Sequence, residues 1–389
     1  MAHDAVRTLR RGTDDRPFIV FWEVTRACGL ACAHCRADAI PHRDPRELST
    51  EEARQLIDDL AAYEPPRPIL VLTGGDPFER VDLAELVSYA TGRGLHVSLS
   101  PSVTPRLTAG RLAELRAAGA SAISLSLDGA RSATHDALRG IDGTHRSTIA
   151  AASLVRAAGL RLQINTTVHA GNVEELPDLL AWLVDQEVSL WSVFLLVPTG
   201  RGSSMQPLTA DRVEDLLHWL HEIGDLLPVK TTEAPHFRRV AVQRTAALRD
   251  GVALDEAFPP GVLRRRLGRR TAELLVGRTA RRHRRPPLDV NAGRGVAFVS
   301  HVGRVHPSGF LPLDVGDVRE RPLSAIYRTS PTLRRLRDVE SYDGRCAICE
   351  YRHVCGGSRS RAYAVSGDPY GDDPACAHVP ARPVAITSP

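Results

Sequence analysis

Residues 18–35 read Phe-Ile-Val-Phe-Trp-Glu-Val-Thr-Arg-Ala-Cys-Gly-Leu-Ala-Cys-Ala-His-Cys. The first seven, Phe18 to Val24, are mostly β-branched or aromatic, the composition of a buried strand. Three cysteines follow at once: Cys28, Cys32 and Cys35. A strand that runs straight into a group of thiols places a site at a strand end, and the chain can be read outward from there.

Downstream, short apolar runs alternate with helical segments. Ser49 or Thr50 caps a helix over 50–62, with Glu52 near the capping-box position. Pro68–Leu72 is a strand that ends in Thr73-Gly74-Gly75-Asp76-Pro77. Helices over 82–92, 108–118, 145–158 and 173–186 separate strands at 95–100, 121–127, 161–168 and 190–197. Six strands alternating with helices predict an α/β fold with a parallel sheet and right-handed crossovers. Six units fall short of eight, so a partial, TIM-like (β/α)6 barrel is expected, its site at the carboxyl ends of the strands.

After Val197 the pattern changes. A loop at 198–202 precedes an amphipathic helix over 208–227, and 230–249 begins Lys-Thr-Thr-Glu-Ala-Pro-His-Phe before continuing as a helix. Residues 264–285 hold ten arginines and one acid, Glu273, and 295–310 read as a hairpin turning at Gly303. The expected division is a tail over 1–16, the barrel over 17–230, a helical linker with the arginine-rich segment over 231–293, and a small cysteine-bearing module over 294–389.

Of 389 residues, 43% are hydrophobic and 25% charged, ample for the core of a soluble globular protein. The net charge is +4 and the sole lysine is Lys230. No stretch approaches the roughly 18 apolar residues of a membrane span, and Met1 to Arg16 lacks the apolar core of a secretory signal. A cytoplasmic protein with reduced thiols is expected. Seven cysteines, an odd number, fit a closed disulfide framework poorly.

The cysteines form two groups. Cys28-x3-Cys32-x2-Cys35 offers three thiolates on one short loop, enough for three irons of a cubane. The fourth iron is then free to chelate a small molecule through an amine and a carboxylate. Structural zinc is the rival, with His34 as a fourth ligand between two cysteines. Cys346-x2-Cys349-x5-Cys355-x20-Cys376 offers four thiolates, which complete a second [4Fe–4S] cluster or a zinc site.

Cys-x3-Cys-x2-Cys after a first strand resembles the signature of the radical S-adenosylmethionine (SAM) superfamily. The resemblance implies a [4Fe–4S] cluster on Cys28, Cys32 and Cys35 that binds SAM and cleaves it to a 5′-deoxyadenosyl radical. His34 fits a slot that is commonly aromatic there. Gly74-Gly75-Asp76-Pro77 resembles the family's Gly-Gly-Glu-Pro turn, which receives the methionine ammonium; glycines admit a close backbone approach and an anion neutralises an amine. By the same resemblance Ser100 and Ser102 reach the ribose, Arg139 pairs with the cofactor carboxylate, and Ser126, Asp128 and Asn165 line the cofactor site.

The second group resembles the SPASM or twitch auxiliary-cluster module, with Cys355-Gly-Gly-Ser and Gly367-Asp-Pro strengthening the match. Asn291 and Ser308 stand where full SPASM modules carry further cysteines, so one auxiliary [4Fe–4S] cluster is implied. The spacing is most similar to the radical enzymes of alternative haem and denitrification-haem synthesis, which trim tetrapyrrole carboxylates, and to peptide-modifying relatives. In the tetrapyrrole group a cysteine precedes Ala-Pro at the segment matching 230–237; Glu233 stands there in this chain, a departure that counts against a tetrapyrrole. Lys230, Glu233 and His236 are candidates to face the substrate. The arginine run suits a carboxylate-rich ligand or a solvated helix face, and without interleaved aromatics it does not read as a nucleic-acid site.

The expected function is hydrogen abstraction from a peptide or tetrapyrrole, with the auxiliary cluster accepting an electron to give oxidation, cross-linking or decarboxylation. A flavodoxin or ferredoxin would supply the reducing electron. The alternatives are the same radical start on a sugar or small metabolite, and a non-enzymatic Fe–S or zinc protein.

Overall fold

The computed structural model describes residues 5–9, 12–277 and 284–381. Seven strands lie side by side in chain order, all parallel: β1 (Ile19–Thr25), β2 (Ile69–Gly74), β3 (His96–Leu99), β4 (Ala122–Ser126), β5 (Arg161–Val168), β6 (Leu190–Leu195) and β7 (Val229–Thr232). Six are the expected ones; β7 extends the partial barrel by one. The crossovers carry α1 (Thr50–Ala61), α2 (Leu83–Gly92), α3 (Ala109–Ala117), α4 (Ser132–Arg139), α5 (Thr144–Ala157), α6 (Leu176–Asp185) and α7 (Ala210–Glu222). α1 starts with the expected capping box between Ser49 and Glu52.

The two faces of this sheet differ in chemistry. β5 alternates buried with less buried positions along its whole length. Val20, Leu70, Val97, Ile164, Trp191 and Val229 share the outer face, buried in the hydrophobic core under the helices. Trp191 meets Trp219 of α7 edge-on, with centroids 6.1 Å apart. The register puts Phe21, Ser98, Ser124, Gln163, Ser192 and Lys230 on the opposite, inner face. An eight-stranded barrel fills its interior with branched apolar side chains; this incomplete barrel keeps a polar one.

Beyond β7 come α8 (His236–Arg249), α9 (Leu254–Ala257) and α10 (Val262–Leu274). The arginine-rich segment is thus helical through Leu274, while its residues 278–283 lie outside the described residues. Then follow β8 (Asn291–Ala292), β9 (Gly295–Val299), β10 (Arg304–His306) and β11 (Gly316–Asp317). β9 and β10 form the expected hairpin, and β9 pairs in parallel with β1, Phe298 opposite Phe21. The C-terminal hairpin therefore continues the barrel sheet past its first strand.

The chain ends in α11 (Leu323–Thr329), α12 (Pro331–Arg337), α13 (Gly344–Ile348) and α14 (Arg359–Ser366). Buried arginines tie this part to the barrel. Arg361 donates to the carbonyl of Glu233 at 2.6 Å and to Asp373 at 3.0 Å. Arg238 donates to the carbonyls of Val290 at 2.7 Å and Cys355 at 2.9 Å. Among the described residues no helix is long and apolar enough to cross a membrane.

Candidate active site

Cys28, Cys32 and Cys35 lie on the loop that leaves β1. Its neck is closed by two backbone hydrogen bonds, Cys28 N–H to Ile40 O and Ile40 N–H to Arg26 O, both 3.0 Å. Its far side rests on α4, where Ala33 N–H donates to Leu138 O at 2.8 Å, and on the loop after β6, where Arg201 N–H donates to Cys35 O at 3.0 Å. The three thiols are free.

The turn after β2 packs directly on this loop. Asp76 N–H donates to Ala27 O at 2.7 Å and Gly75 N–H to Thr25 O at 2.8 Å. A Cβ at Gly75 would stand 2.3 Å from Ala27 O, and one at Gly74 2.2 Å from Thr25 O; neither position has room for a side chain. Asp76 is fully buried. Its carboxylate accepts from Phe78 N–H at 3.1 Å and from Thr104 Oγ1 at 2.7 Å, capping the short turn opened by Pro77. Burial pushes its carboxyl up to about 6, against the pull of those donors.

Ser100 and Ser102 follow β3. Ser100 N–H donates to Leu72 O at 2.9 Å. Ser102 Oγ donates to Gly75 O at 2.9 Å and lies 3.3 Å from Cys28 Sγ. Ser126 and Asn165 are cross-strand neighbours, and Gln163 donates to Asn165 Oδ1 at 2.7 Å.

Asp128 and Arg139 form a buried ion pair. Arg139 also reaches Cys32 Sγ, at 3.6 Å. Burial would raise the Asp128 carboxyl, but Arg139, with His34 and His135, holds it below its usual range. Asp128 further accepts from Thr167 N–H at 2.7 Å. Burial pushes His34 and His135 down to about 4, so both are neutral near pH 7. His34 Nδ1 and His135 Nε2 are buried without a hydrogen-bond partner among the described residues.

Cys346, Cys349, Cys355 and Cys376 line one cavity with His236, Arg239 and Gly357. Burial pushes Cys355 and Cys376 up to about 11; such thiols become thiolates only when a cation replaces the proton. Arg359 donates to Cys346 Sγ at 3.4 Å and to the carbonyl of Gly371 at 2.8 Å. Asn291 Nδ2 donates to Gly357 O at 2.9 Å, and Ser308 Oγ lies 3.1 Å from Ser360 Oγ. Glu233 is bonded to Ser358 and Ser360. His236, fully buried, lies 2.9 Å from Asp373 without being in line for a hydrogen bond.

The spread of the sulfurs tests what each set can hold. A tetrahedral zinc about 2.3 Å from each sulfur needs them about 3.8 Å apart, whereas a cubane spreads its thiolates over separate irons. Among the described residues the one trio of metal-ligating side chains whose donor atoms all lie within 4.8 Å is Cys349, Glu350 and His378. Neither the N-terminal three nor any three of the C-terminal four meet that limit. Both donor sets offer free thiols, the donor chemistry of iron–sulfur clusters.

Residues 22–183 match the radical SAM superfamily. Over 380 residues the chain is 38% identical to the AdoMet-dependent heme synthase of Nitratidesulfovibrio vulgaris, covering 97% of this chain and 96% of that one. This chain belongs to the radical SAM superfamily. A second relative, mycofactocin maturase MftC of Mycolicibacterium smegmatis, is 30% identical over 380 residues, 95% of this chain and 85% of that one. The fold resembles that of Streptococcus suis SuiB bound to S-adenosylmethionine, with a TM-score of 0.64 at 14% identity, covering 94% of this chain and 78% of that one. As a radical SAM enzyme the chain uses a [4Fe–4S] cluster and SAM.

Several residues around this candidate site carry no signal that the sequence offered directly. Thr104 holds Asp76, and Glu175 gathers the N–H groups of Ala130 at 2.9 Å and Arg131 at 3.1 Å just beyond Asp128. Glu23, on the inner face of β1, pairs with Arg36 at 3.1 Å and His301 at 2.9 Å. A buried acid in a strand is a signal that could have been read; the partners of Thr104 and Glu175 have no local signature.

Proposed function

We propose that this chain makes haem from a carboxylate-bearing iron tetrapyrrole by radical removal of carboxylate side chains, in the cytoplasm. The observation that carries the reading is that two sets of free thiols flank one mouth of the barrel, bridged by the loop after β6. Arg201 N–H of that loop bonds Cys35 O at 3.0 Å, and the carbonyl of Leu196 in the same loop accepts from Arg361 of α14 at 3.4 Å. A reaction that withdraws a hydrogen atom and then an electron calls for two centres so placed. The likeness along nearly the whole chain to a haem synthase supports the substrate class.

On this reading Cys28, Cys32 and Cys35 would hold the cluster that binds and cleaves SAM. Gly74, Gly75, Asp76 and Pro77 form the turn that receives the ammonium, with Asp76 acting as a buried charge behind it. Ser100 and Ser102 serve the ribose; His34, Ser126, Asp128, Arg139 and Asn165 line the rest of the cofactor site. When bound, cluster and SAM together supply a 5′-deoxyadenosyl radical. Loss of one hydrogen atom from the inner carbon of a propionate-type side chain, then of carbon dioxide, leaves a vinyl group and one electron. Cys346, Cys349, Cys355 and Cys376 stand where an acceptor for that electron would be held. A low-potential donor of flavodoxin or ferredoxin type balances the cleavage of each SAM.

The test is anaerobic turnover of the reconstituted protein with a chemical reductant, SAM and iron coproporphyrin. The expected result is 5′-deoxyadenosine together with a porphyrin lighter, for each side chain trimmed, by one carbon dioxide and two hydrogens, the abstracted atom and the carboxyl proton. An unchanged porphyrin, with a mass change instead in a peptide encoded beside this gene, would assign the chemistry to a peptide.

A further inference from the structure

Ser126, Asn165, Ser192 and Lys230 form one row across four strands: Ser126 opposite Asn165, Asn165 opposite Ser192, Ser192 opposite Lys230. All four are on the inner face. Val193 and Val229, on the outer face beside this row, are in the core under the helices, which fixes the direction in which Ser192 and Lys230 point.

This row is under-satisfied at its β7 end. Ser192 is fully buried and its hydroxyl has no hydrogen-bond partner among the described residues; the buried hydroxyl of Thr232, next inner-face position along β7, is alone too. Buried hydroxyls are nearly always bonded, so two orphans placed diagonally on the same face of β6 and β7 call for a missing acceptor. The Lys230 ammonium likewise has neither an ion pair nor a hydrogen bond among the described residues, and the charge it feels is the like charge of Arg285. Burial, with Arg285, pulls it down to about 8. Several buried guanidinium groups elsewhere are matched by acids: Arg239 by Glu214, Arg264 by Glu222 and Asp255, Arg361 by Asp373. A cation and two hydroxyls, all donors and none engaged, describe a cradle for one anion.

We propose that Lys230, with Ser192 and Thr232, binds a carboxylate of the substrate inside the barrel, at a side chain remote from the reacting carbon. The inference rests on the tetrapyrrole reading. Remoteness follows from the row itself. Three strand-to-strand steps of about 4.8 Å separate Ser126, on the cofactor side, from Lys230. A carboxylate held at Lys230 therefore lies across the lumen from the cofactor and survives the reaction, which makes Lys230 a positioning and specificity residue. Arginine would present a rigid fork; a lysine gives a single point charge on a flexible stem that can follow one carboxylate.

The experiment is an absorbance titration of the anaerobically reconstituted holoprotein, without SAM, using iron coproporphyrin, haem and the methyl ester of iron coproporphyrin. The inference expects Lys230→Met to weaken binding of both acids at least tenfold, Lys230→Arg to restore part of it, and the ester to bind wild type and Lys230→Met alike. In turnover, KM for the porphyrin should rise more than kcat falls. Equal affinity of wild type and Lys230→Met for the acids would overturn it, with circular dichroism and iron content checking that the variant is folded. If wild type bound none of the porphyrins, the tetrapyrrole reading itself would fall, and this inference with it.

Discussion

Arg139 reaches the sulfur of Cys32, at 3.6 Å, while the same guanidinium is paired with the buried carboxylate of Asp128. One cation thus serves the cysteine loop and the end of β4 together. Removing one partner of a buried pair strands the other charge and costs about 3–5 kcal/mol, whereas an apolar pair of similar volume is far better tolerated. Arg139→Met is therefore expected to lower stability by about that amount, and Arg139→Met with Asp128→Leu to recover most of it. Denaturant unfolding of the four proteins of this cycle measures it. On the proposed cluster assignment, loss of a positive charge beside Cys32 also disfavours the reduced state, so the potential of the N-terminal cluster should become more negative in Arg139→Met, read by potentiometric titration.

The two thiol sets should separate by function. Alanine at Cys28, Cys32 or Cys35 is expected to abolish formation of 5′-deoxyadenosine. Alanine at Cys346, Cys349 or Cys376 should leave SAM cleavage in place and stop the net reaction of the substrate. Two cubanes predict about eight irons per chain in the reconstituted wild type and about four in either class of variant. Iron analysis beside product analysis checks this, and zinc in place of the second set of irons would refute the two-cubane assignment.

The sequence carried the first six strands and both cysteine sets because each has a local signature: apolar runs of strand length, and thiol spacing. It did not carry α4. That helix is eight residues long, and its buried face is His135, Leu138 and Arg139, so no apolar periodicity marks it. Nor did it carry β7, whose four residues Val-Lys-Thr-Thr point alternately into the core and into a polar lumen. The pairing of β9 with β1 joins residues nearly the whole chain apart, and a contact of that kind is decided by packing. A family resemblance singled out Asp76 and Arg139 as candidates, but only the structure placed the Asp76 carboxylate on Thr104 and the Arg139 guanidinium against Cys32.

Gly75 is where the β2 turn and the cysteine loop touch most closely. A methyl group there would have to move the Ala27 and Arg26 carbonyls, 2.3 and 2.6 Å from the ideal Cβ. Those carbonyls belong to the backbone leading into Cys28, so the strain falls on the loop that presents the thiols. Gly75→Ala is expected to retain the fold, judged by circular dichroism, but to lose iron from the N-terminal site faster than wild type on exposure to a chelator. Gly110, with no heavy atom closer than 4.0 Å to an added Cβ, provides the control: Gly110→Ala should keep its iron.

Asp76 gives a pH dependence whose sign can be worked out. Burial raises its folded-state pKa from 3.8 to about 6. An acid whose pKa is higher folded than unfolded binds its proton more tightly in the native protein. The native state is then penalised above pH 6, where the buried group must ionise, and relieved as pH falls toward 4. A shift of about two units corresponds to about 3 kcal/mol at neutral pH. Asp76→Asn, which keeps an acceptor for Phe78 N–H and supplies a donor to the Thr104 hydroxyl, removes the penalty. Without SAM, the variant should be more stable than wild type at pH 8, by up to about that amount, and the difference should shrink to about 1 kcal/mol near pH 4.5 and vanish only below the unfolded pKa of 3.8. A bound ammonium beside the turn would favour the ionised wild-type carboxylate, so saturating SAM should narrow the gap at pH 8. Denaturant unfolding across that pH range, with and without SAM, gives the answer; a wild type more stable than Asp76→Asn at pH 8 without SAM would show that the carboxylate is ionised at no cost, with its donors outweighing its burial.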